Sequence, residues 1–165
     1  MPWATLDTPI GPLTLTATAR GLRTIHFANE HAARAAAHHD EGALAGPLAQ
    51  LAEYFAGRRR TFDLTLDHGG TRFQQRVWRA VMAIPYGHTT TYRDIAVALG
   101  DPRLSRAVGT CNGRTPIPIV MPCHRVVGSD GRLTGYRGGL ERKQALLELE
   151  AQRPVAADAP LARPA

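Results

Sequence analysis

Cysteine is scarce in this chain of 165 residues: there are two, Cys111 and Cys123. A small secreted fold stapled by disulfides uses more, so both are expected to be free thiols in a reducing compartment. Paired Cys-x-x-Cys ligands are missing, and the histidine pair His38-His39 lies in an alanine-rich polar stretch. No metal and no other cofactor is therefore expected. No apolar run approaches the length of a membrane span. The opening MPWATLDTPIGPLTL has no basic segment followed by an apolar stretch, so it does not read as a secretory signal. The expectation is a cytoplasmic protein with no membrane partner. A hydrophobic content of 44% excludes a chain disordered throughout.

The net charge of +6 is unevenly placed. Residues 1–70 hold six arginines against seven acids, whereas residues 71–150 hold eleven arginines and one lysine against six acids. General solubility charge does not explain such polarity. A basic half suits a polyanion, and nucleic acid is the natural candidate.

The pattern divides the chain into residues 1–69, residues 70–150 and a tail at 151–165. In the first part, Leu13, Leu15 and Ala17 alternate with threonines. Ile25 and Phe27 do the same after Arg20-Gly21, which predicts a hairpin. Pro47 is expected to start a helix with Leu48, Leu51, Ala52 and Phe55 as its stripe, ended by Gly57. Phe62, Leu64 and Leu66 read as a third strand, and His68-Gly69-Gly70 as a linker.

The second part is expected to be mainly helical. Thr71 and Gln74 form a capping box ahead of the stripe Phe73, Val77, Ala80, Val81 and Ile84, which Pro85 stops. Trp78 beside that stripe is expected to pack. Thr91 and Asp94 cap a second helix, Gly100 ends it, and Asp101-Pro102 starts another that runs to about Cys111 or Asn112. Two short helices joined by a turn make a helix-turn-helix pattern, which many non-binding helical pairs share. The second of them, RLSRAVGTCNG, is lean apart from Arg103 and Arg106: Ser105, Ala107, Gly109 and Thr110 are all small. A lean face permits close helix packing or entry into the narrow minor groove, roughly 6 Å wide, and the adjacent arginines favour the groove.

The proline-rich run TPIPIVMP then predicts a stiff, buried edge segment leading to Cys123. Ser129-Asp130-Gly131 reads as a hairpin turn. Tyr136-Arg137-Gly138-Gly139 reads as a loop able to close over something. A last helix from about Leu140 is expected to bury Leu146 and Leu149, and AQRPVAADAPLARPA to be disordered.

A buried cysteine is usually inert packing. Cys123, however, follows a proline in a rigid segment and adjoins His124 and Arg125, both of which favour thiolate over thiol. His124 is the candidate base. Neighbours on an extended chain point opposite ways, so it is expected to act through a water or across a bend. Such a base needs an acid to fix its tautomer. Asp130 lies in a turn; Glu150 could reach if the last helix packs behind the site, although an exposed terminal glutamate is the plainer reading of spacing alone.

Pro-Cys-His-Arg-Val at 122–126 resembles the signature of the O6-alkylguanine-DNA alkyltransferases. The resemblance extends to TPIGPL, FQQRVWRAVMAIPYGHTTTYRDIA, SRAVG and PCHRVVGSDGRLTGYRGGLERK, and so to nearly the whole chain. It implies an α/β ribonuclease-H-like N-terminal domain followed by a mainly helical DNA-binding domain with a helix-turn-helix. The implied activity is single-turnover transfer of an alkyl group to Cys123 from O6-alkylguanine, or O4-alkylthymine, in a flipped-out base. The implied partner is alkylated double-stranded DNA, bound through its minor groove by a monomer that is nucleoid-associated when on DNA.

By the same resemblance, His124 deprotonates Cys123 through a water, Glu150 orients His124, and Tyr92 approaches guanine and the neighbouring phosphate. Arg106 fills the gap left by the extruded base, flanked on the DNA-facing helix by Ser105 and Ala107. Val126 offers backbone to the base, Tyr136 lines its pocket, and Arg125 and Arg137 count among the DNA- and base-binding residues. Two positions depart from the family pattern. Thr115 stands where the family has the asparagine that braces the helix-turn-helix against the site, and Arg137 stands where a small residue is common. The competing reading is an alkyltransferase-like lesion binder that does not transfer; those proteins lack the cysteine that is present here.

Overall fold

Alternation of apolar side chains builds a four-stranded sheet at the start of the chain. The computed structural model describes residues 1–28, 30 and 38–152. Strands β1 (Pro2–Leu6), β2 (Leu13–Thr18), β3 (Gly21–Phe27) and β4 (His38–His39) lie in the order β3-β2-β1-β4. The predicted hairpin is β2–β3, with Leu13 opposite Phe27 and Leu15 opposite Ile25. Its turn depends on Gly21, at φ 144°, where a Cβ would collide with the Thr65 carbonyl oxygen. Leu13, Leu15, Leu22, Ile25 and Phe27 are buried, as are Leu51 and Tyr54 of helix α1 (Ala45–Phe55).

Three features of this unit differ from the expectation. The helix begins at Ala45 rather than Pro47. Pro2–Leu6 is a strand, and His38-His39 pairs with it in parallel, with His39 edge-on to Trp3 at 4.9 Å between ring centroids. The segment Phe62–Leu66 forms no strand beyond one parallel bridge from Leu66 to Leu22. Gln50 takes the place of a strand partner: its amide donates to the Asp63 carbonyl and accepts from the Asp63 N–H, both at 2.9 Å.

The chain divides into two compact units. Met1–His68 with Pro116–Pro118 forms one; Gly69–Thr115 with the chain from Ile119 onward forms the other. The first is the α/β sheet unit and the second is mainly helical. Within the first, the Ile25 N–H donates to the Pro116 carbonyl at 3.0 Å.

The second unit opens with α2 (Arg72–Met82), started by the expected capping box: Thr71 Oγ1 accepts from Gln74 N, and Gln74 Oε1 from Thr71 N. Val77, Trp78 and Val81 are buried, and Trp78 Nε1 donates to the Cys111 carbonyl at 2.9 Å. Helix α3 (Tyr92–Ala98) is capped by Thr91. A single 3-10 turn, Pro102–Leu104, then leads into α4 (Ser105–Gly113). A two-residue strand β5 (Thr90–Thr91) pairs in parallel with β6 (Val126–Val127). Ser129–Gly131 therefore makes a turn, as expected, but not a hairpin, because β6 finds its partner upstream.

The proline-rich run forms no strand. Ile117, Ile119 and Met121 are buried along it, and Ile119 adopts φ 76°. For a β-branched residue that conformation costs on the order of 1–3 kcal/mol and persists only where its surroundings impose it. Helix α5 (Leu140–Gln152) buries Lys143, Leu146 and Glu150, while Leu149 is only half-buried. Ala151 and Gln152 thus belong to the helix rather than to the expected tail, and residues 153–165 lie outside the described residues. Among the described residues, no helix is long and apolar enough to cross a membrane.

Candidate active site

Cys123 opens a one-turn 3-10 helix, Cys123–Arg125, at the end of the proline-rich segment. Cys123 N–H donates to the Met121 carbonyl at 2.7 Å, and Arg125 N–H to the Pro122 carbonyl at 2.9 Å. The tight turn supplies the bend that the extended-chain reading lacked. Cys123 is 4% exposed and His124 fully buried.

His124 Nε2 lies 2.8 Å from Glu150 Oε1, a bond that spans the site from the turn to the end of α5. Arg125 grips the same carboxylate with two prongs, Nη2 to Oε1 at 2.8 Å and Nε to Oε2 at 2.9 Å, while its Nη1 donates to the Ile84 carbonyl. Gly87 N–H adds a longer contact to Oε2 at 3.4 Å. Burial raises the pKa of Glu150, but the hydrogen bonds of His124 and Arg125 and the guanidinium charge outweigh it and hold the carboxyl at about 2. Burial holds His124 below its ordinary value, so the ring is neutral.

Protonation follows from these two states. A carboxylate only accepts, so Nε2 carries the proton and Nδ1 is left as a bare acceptor. Nδ1 is buried and has no hydrogen-bond partner among the described residues. The site therefore holds a fixed proton acceptor next in sequence to a buried thiol.

The thiol itself is pushed up by burial. The groups that oppose the rise are a hydrogen bond with Thr115, the charge of Arg137, a hydrogen bond with Tyr136 and the charge of Lys143. The charge of Arg125, which the sequence also offered for thiolate formation, is not among them: it is spent on Glu150. This corrects Arg125 as a DNA contact as well. It is 5% exposed and all its bonds run inward, with its guanidinium carbon 5.7 Å from the Tyr86 ring centroid.

The remaining site residues fall into two groups. Thr115, Val126, Tyr136 and Arg137 gather near Cys123. Thr115 is buried, and its hydroxyl donates to the Asn112 carbonyl at 2.8 Å. Val126 is buried and its carbonyl accepts from Lys143 Nζ at 2.7 Å. Tyr92, at the start of α3, is half-buried, and its hydroxyl accepts from Thr134 Oγ1 at 3.0 Å. The second group is on α4, where Arg106 is exposed and Ser105 and Ala107 are half-exposed. The Ser105 hydroxyl is committed to the Pro102 carbonyl at 2.7 Å. A Cβ at Gly109 would sit 3.6 Å from the Tyr92 ring, so the lean face of α4 also serves packing against α3.

Two residues were missed. Lys143 is fully buried, donates to the Val126 and Thr134 carbonyls, and lies 5.9 Å from the Tyr92 ring centroid; burial brings its pKa down to about 8. Its signal was available, since it is the sole lysine in a chain with nineteen arginines. Asn112 is the other: its Nδ2 donates to the Cys123 carbonyl at 3.1 Å, and its Oδ1 is buried without a hydrogen-bond partner among the described residues.

Residues 1–68 match the family model described as 6-O-methylguanine DNA methyltransferase, ribonuclease-like domain, and residues 72–152 match its DNA binding domain. The chain belongs to the 6-O-methylguanine DNA methyltransferase family. The methylated-DNA–protein-cysteine methyltransferase of Mycobacterium tuberculosis is 49% identical over 156 residues, covering 93% of this chain and 94% of that one. The constitutive enzyme of Bacillus subtilis is 41% identical over 155 residues, covering 90% and 94%. Among solved structures, the Mycobacterium tuberculosis OGT in complex with DNA superposes with a TM-score of 0.88 at 49% identity, covering 93% and 94% of the two chains. The family's two-part organisation, a ribonuclease-like domain and a DNA-binding domain, accounts for the sheet unit and the helical unit.

Proposed function

We propose that the protein repairs DNA by moving an alkyl group from O6 of guanine onto Cys123, once per molecule. The observation that carries this is the Glu150–His124 pair, which leaves Nδ1 bare on the residue that follows the buried thiol in the chain. The thiol proton passes through a water to Nδ1. Sγ then attacks the alkyl carbon, the carbon–O6 bond breaks, and its electron pair goes to the guanine. The leaving base needs a proton or a strong hydrogen bond, for which the Tyr92 hydroxyl is the candidate. The product is a thioether, which no group around Cys123 is equipped to cleave.

The alkyl carbon is hidden in a duplex, so the base must be flipped, at a cost of a few kcal/mol. Helices α3 and α4 act as the helix-turn-helix, with the lean face of α4 at Ser105 and Ala107 in the minor groove. Arg106, exposed on that helix, fills the vacated stack. Val126, Tyr136 and Arg137 form the base pocket. The protein acts as a monomer on alkylated double-stranded DNA, in the cytoplasm on the nucleoid, with O4-alkylthymine as a further substrate.

Incubation with a duplex containing O6-methylguanine, followed by intact-protein mass measurement, tests the reading. The expected result is one added methyl, on Cys123, with no turnover beyond one equivalent. Cys123→Ala is expected to bind the duplex without gaining mass. Tight binding by the wild type with unchanged mass would instead identify a lesion binder.

A further inference from the structure

The segment from Gly128 to Gly139 contains five glycines and, among the described residues, no helix or strand. Glycine loses more freedom on ordering than any other residue, so such a segment keeps its shape only where it is tied. At its end the Gly138 and Gly139 carbonyls accept from Arg142 Nη1 and the Lys143 N–H of the last helix, and other bonds hold the rest. Gly128 N–H donates to the Arg132 carbonyl at 2.9 Å. The Thr134 carbonyl accepts from Lys143, and the Thr134 hydroxyl donates to Tyr92. Near the far end, Arg137 Nη1 donates to the carbonyl of Thr115.

The Arg137 tie continues inward. Thr115 Oγ1 donates to the Asn112 carbonyl, and Asn112 Nδ2 donates to the Cys123 carbonyl. One line of bonds thus runs from the glycine-rich segment, past the end of α4, to the backbone of the reactive cysteine. Thr115 and Arg137, the two positions at which the sequence departs from the family pattern, are bonded to each other.

We propose that Arg137 is a positioning residue, latching the Gly128–Gly139 segment to the Thr115 carbonyl and so holding that segment closed against Cys123. The inference rests on the alkyl-transfer reading for its consequence in repair, but the latch itself is geometric. A guanidinium donating to a largely buried carbonyl makes a charge-assisted bond, about twice as strong as a neutral one. Its charge also opposes the burial that pushes the Cys123 thiol up.

The test measures two rates on the full chain. One is single-turnover methyl transfer from an O6-methylguanine duplex. The other is carboxamidomethylation by iodoacetamide, read at Cys123 and Cys111 by peptide mass spectrometry. Cys111 is also buried and serves as the internal control. Arg137→Ala is expected to slow transfer about tenfold, the scale of one hydrogen bond to a charged group. Followed over a pH series, the plateau rate of Cys123 labelling, where the thiol is fully ionised, should rise while Cys111 stays unchanged; loss of the Arg137 charge alone would only move the midpoint upward. Arg137→Lys, which still offers a charged N–H, is expected to recover part of the protection. An unchanged Cys123 plateau rate in Arg137→Ala, or equal acceleration at Cys111, overturns the latch. If the wild type accepts no methyl, the repair reading fails, and the labelling comparison still decides the latch.

Discussion

His124 and Glu150 stand 26 residues apart in the chain and 2.8 Å apart in the fold, joined from Nε2 to Oε1. Arg125 shares the carboxylate, so one glutamate neutralises a guanidinium and sets an imidazole tautomer together. Glu150→Gln puts an amide N–H₂ among donors that have nowhere else to turn. Breaking one member of a buried pair typically costs about 3–5 kcal/mol. The expected outcome is a stability loss of that size in urea unfolding, with transfer slowed about a hundredfold or more, as for the loss of an acid–base group.

Stability should fall with acid in a defined window. Glu150 has a folded pKa near 2 against an ordinary 4.5, so its contribution is complete above 4.5 and disappears as pH falls toward 2. Its size is on the order of 3 kcal/mol. His124, held below 6.5 by burial, acts in the same direction from pH 6.5 downward, because the unfolded ring takes up a proton that the folded ring refuses. Urea midpoints between pH 7 and pH 3 should decline steadily. Methyl transfer should persist below pH 6.5 for as long as the protein stays folded.

Arg106→Ala should separate base flipping from chemistry. The side chain is exposed, so folding stability should change by no more than about 0.5 kcal/mol. Transfer from duplex O6-methylguanine should slow, whereas reaction with the free base O6-benzylguanine should not. An equal fall on both substrates would contradict the assigned role.

Lys143→Met removes a cation that opposes the rise of the Cys123 thiol. The rate–pH profile of transfer should move to higher pH. Slower transfer at pH 7 is expected too, because the Val126 and Thr134 carbonyls lose their donor. A profile that stays in place, with only its amplitude reduced, would mean that Lys143 serves as a spacer alone.

Local signals were readable in advance. The threonine-spaced strands of β2–β3, the Thr71–Gln74 box and the Thr91 cap are short-range patterns, and each formed where the residues indicated. Long-range choices were not readable. Phe62–Leu66 alternates like a strand, yet Gln50 bonds its backbone first. Val126-Val127 precedes a turn, yet pairs with Thr90-Thr91. At the site, Cys123 and His124 were plain from the chain, and Glu150 only through the resemblance, because nothing local says which way a helix end will face. Arg125 misled for the same reason: an arginine beside a nucleophile in a basic half reads as a DNA contact, and only the packed structure commits it to Glu150. Asn112 bonds a backbone carbonyl, which carries no mark in a sequence, and Lys143 does the same, marked only by being the sole lysine.

Three residues of the second half, Pro116–Pro118, are built into the first unit, with the Ile25 N–H on the Pro116 carbonyl. A cut at the glycine pair Gly69-Gly70 therefore does not divide the chain along the boundary of the two units. A fragment starting there would keep every reactive group and lose the mooring just ahead of the bend at Ile119. The sheet unit holds none of the named site residues, yet it includes the three residues that open the run leading to Cys123.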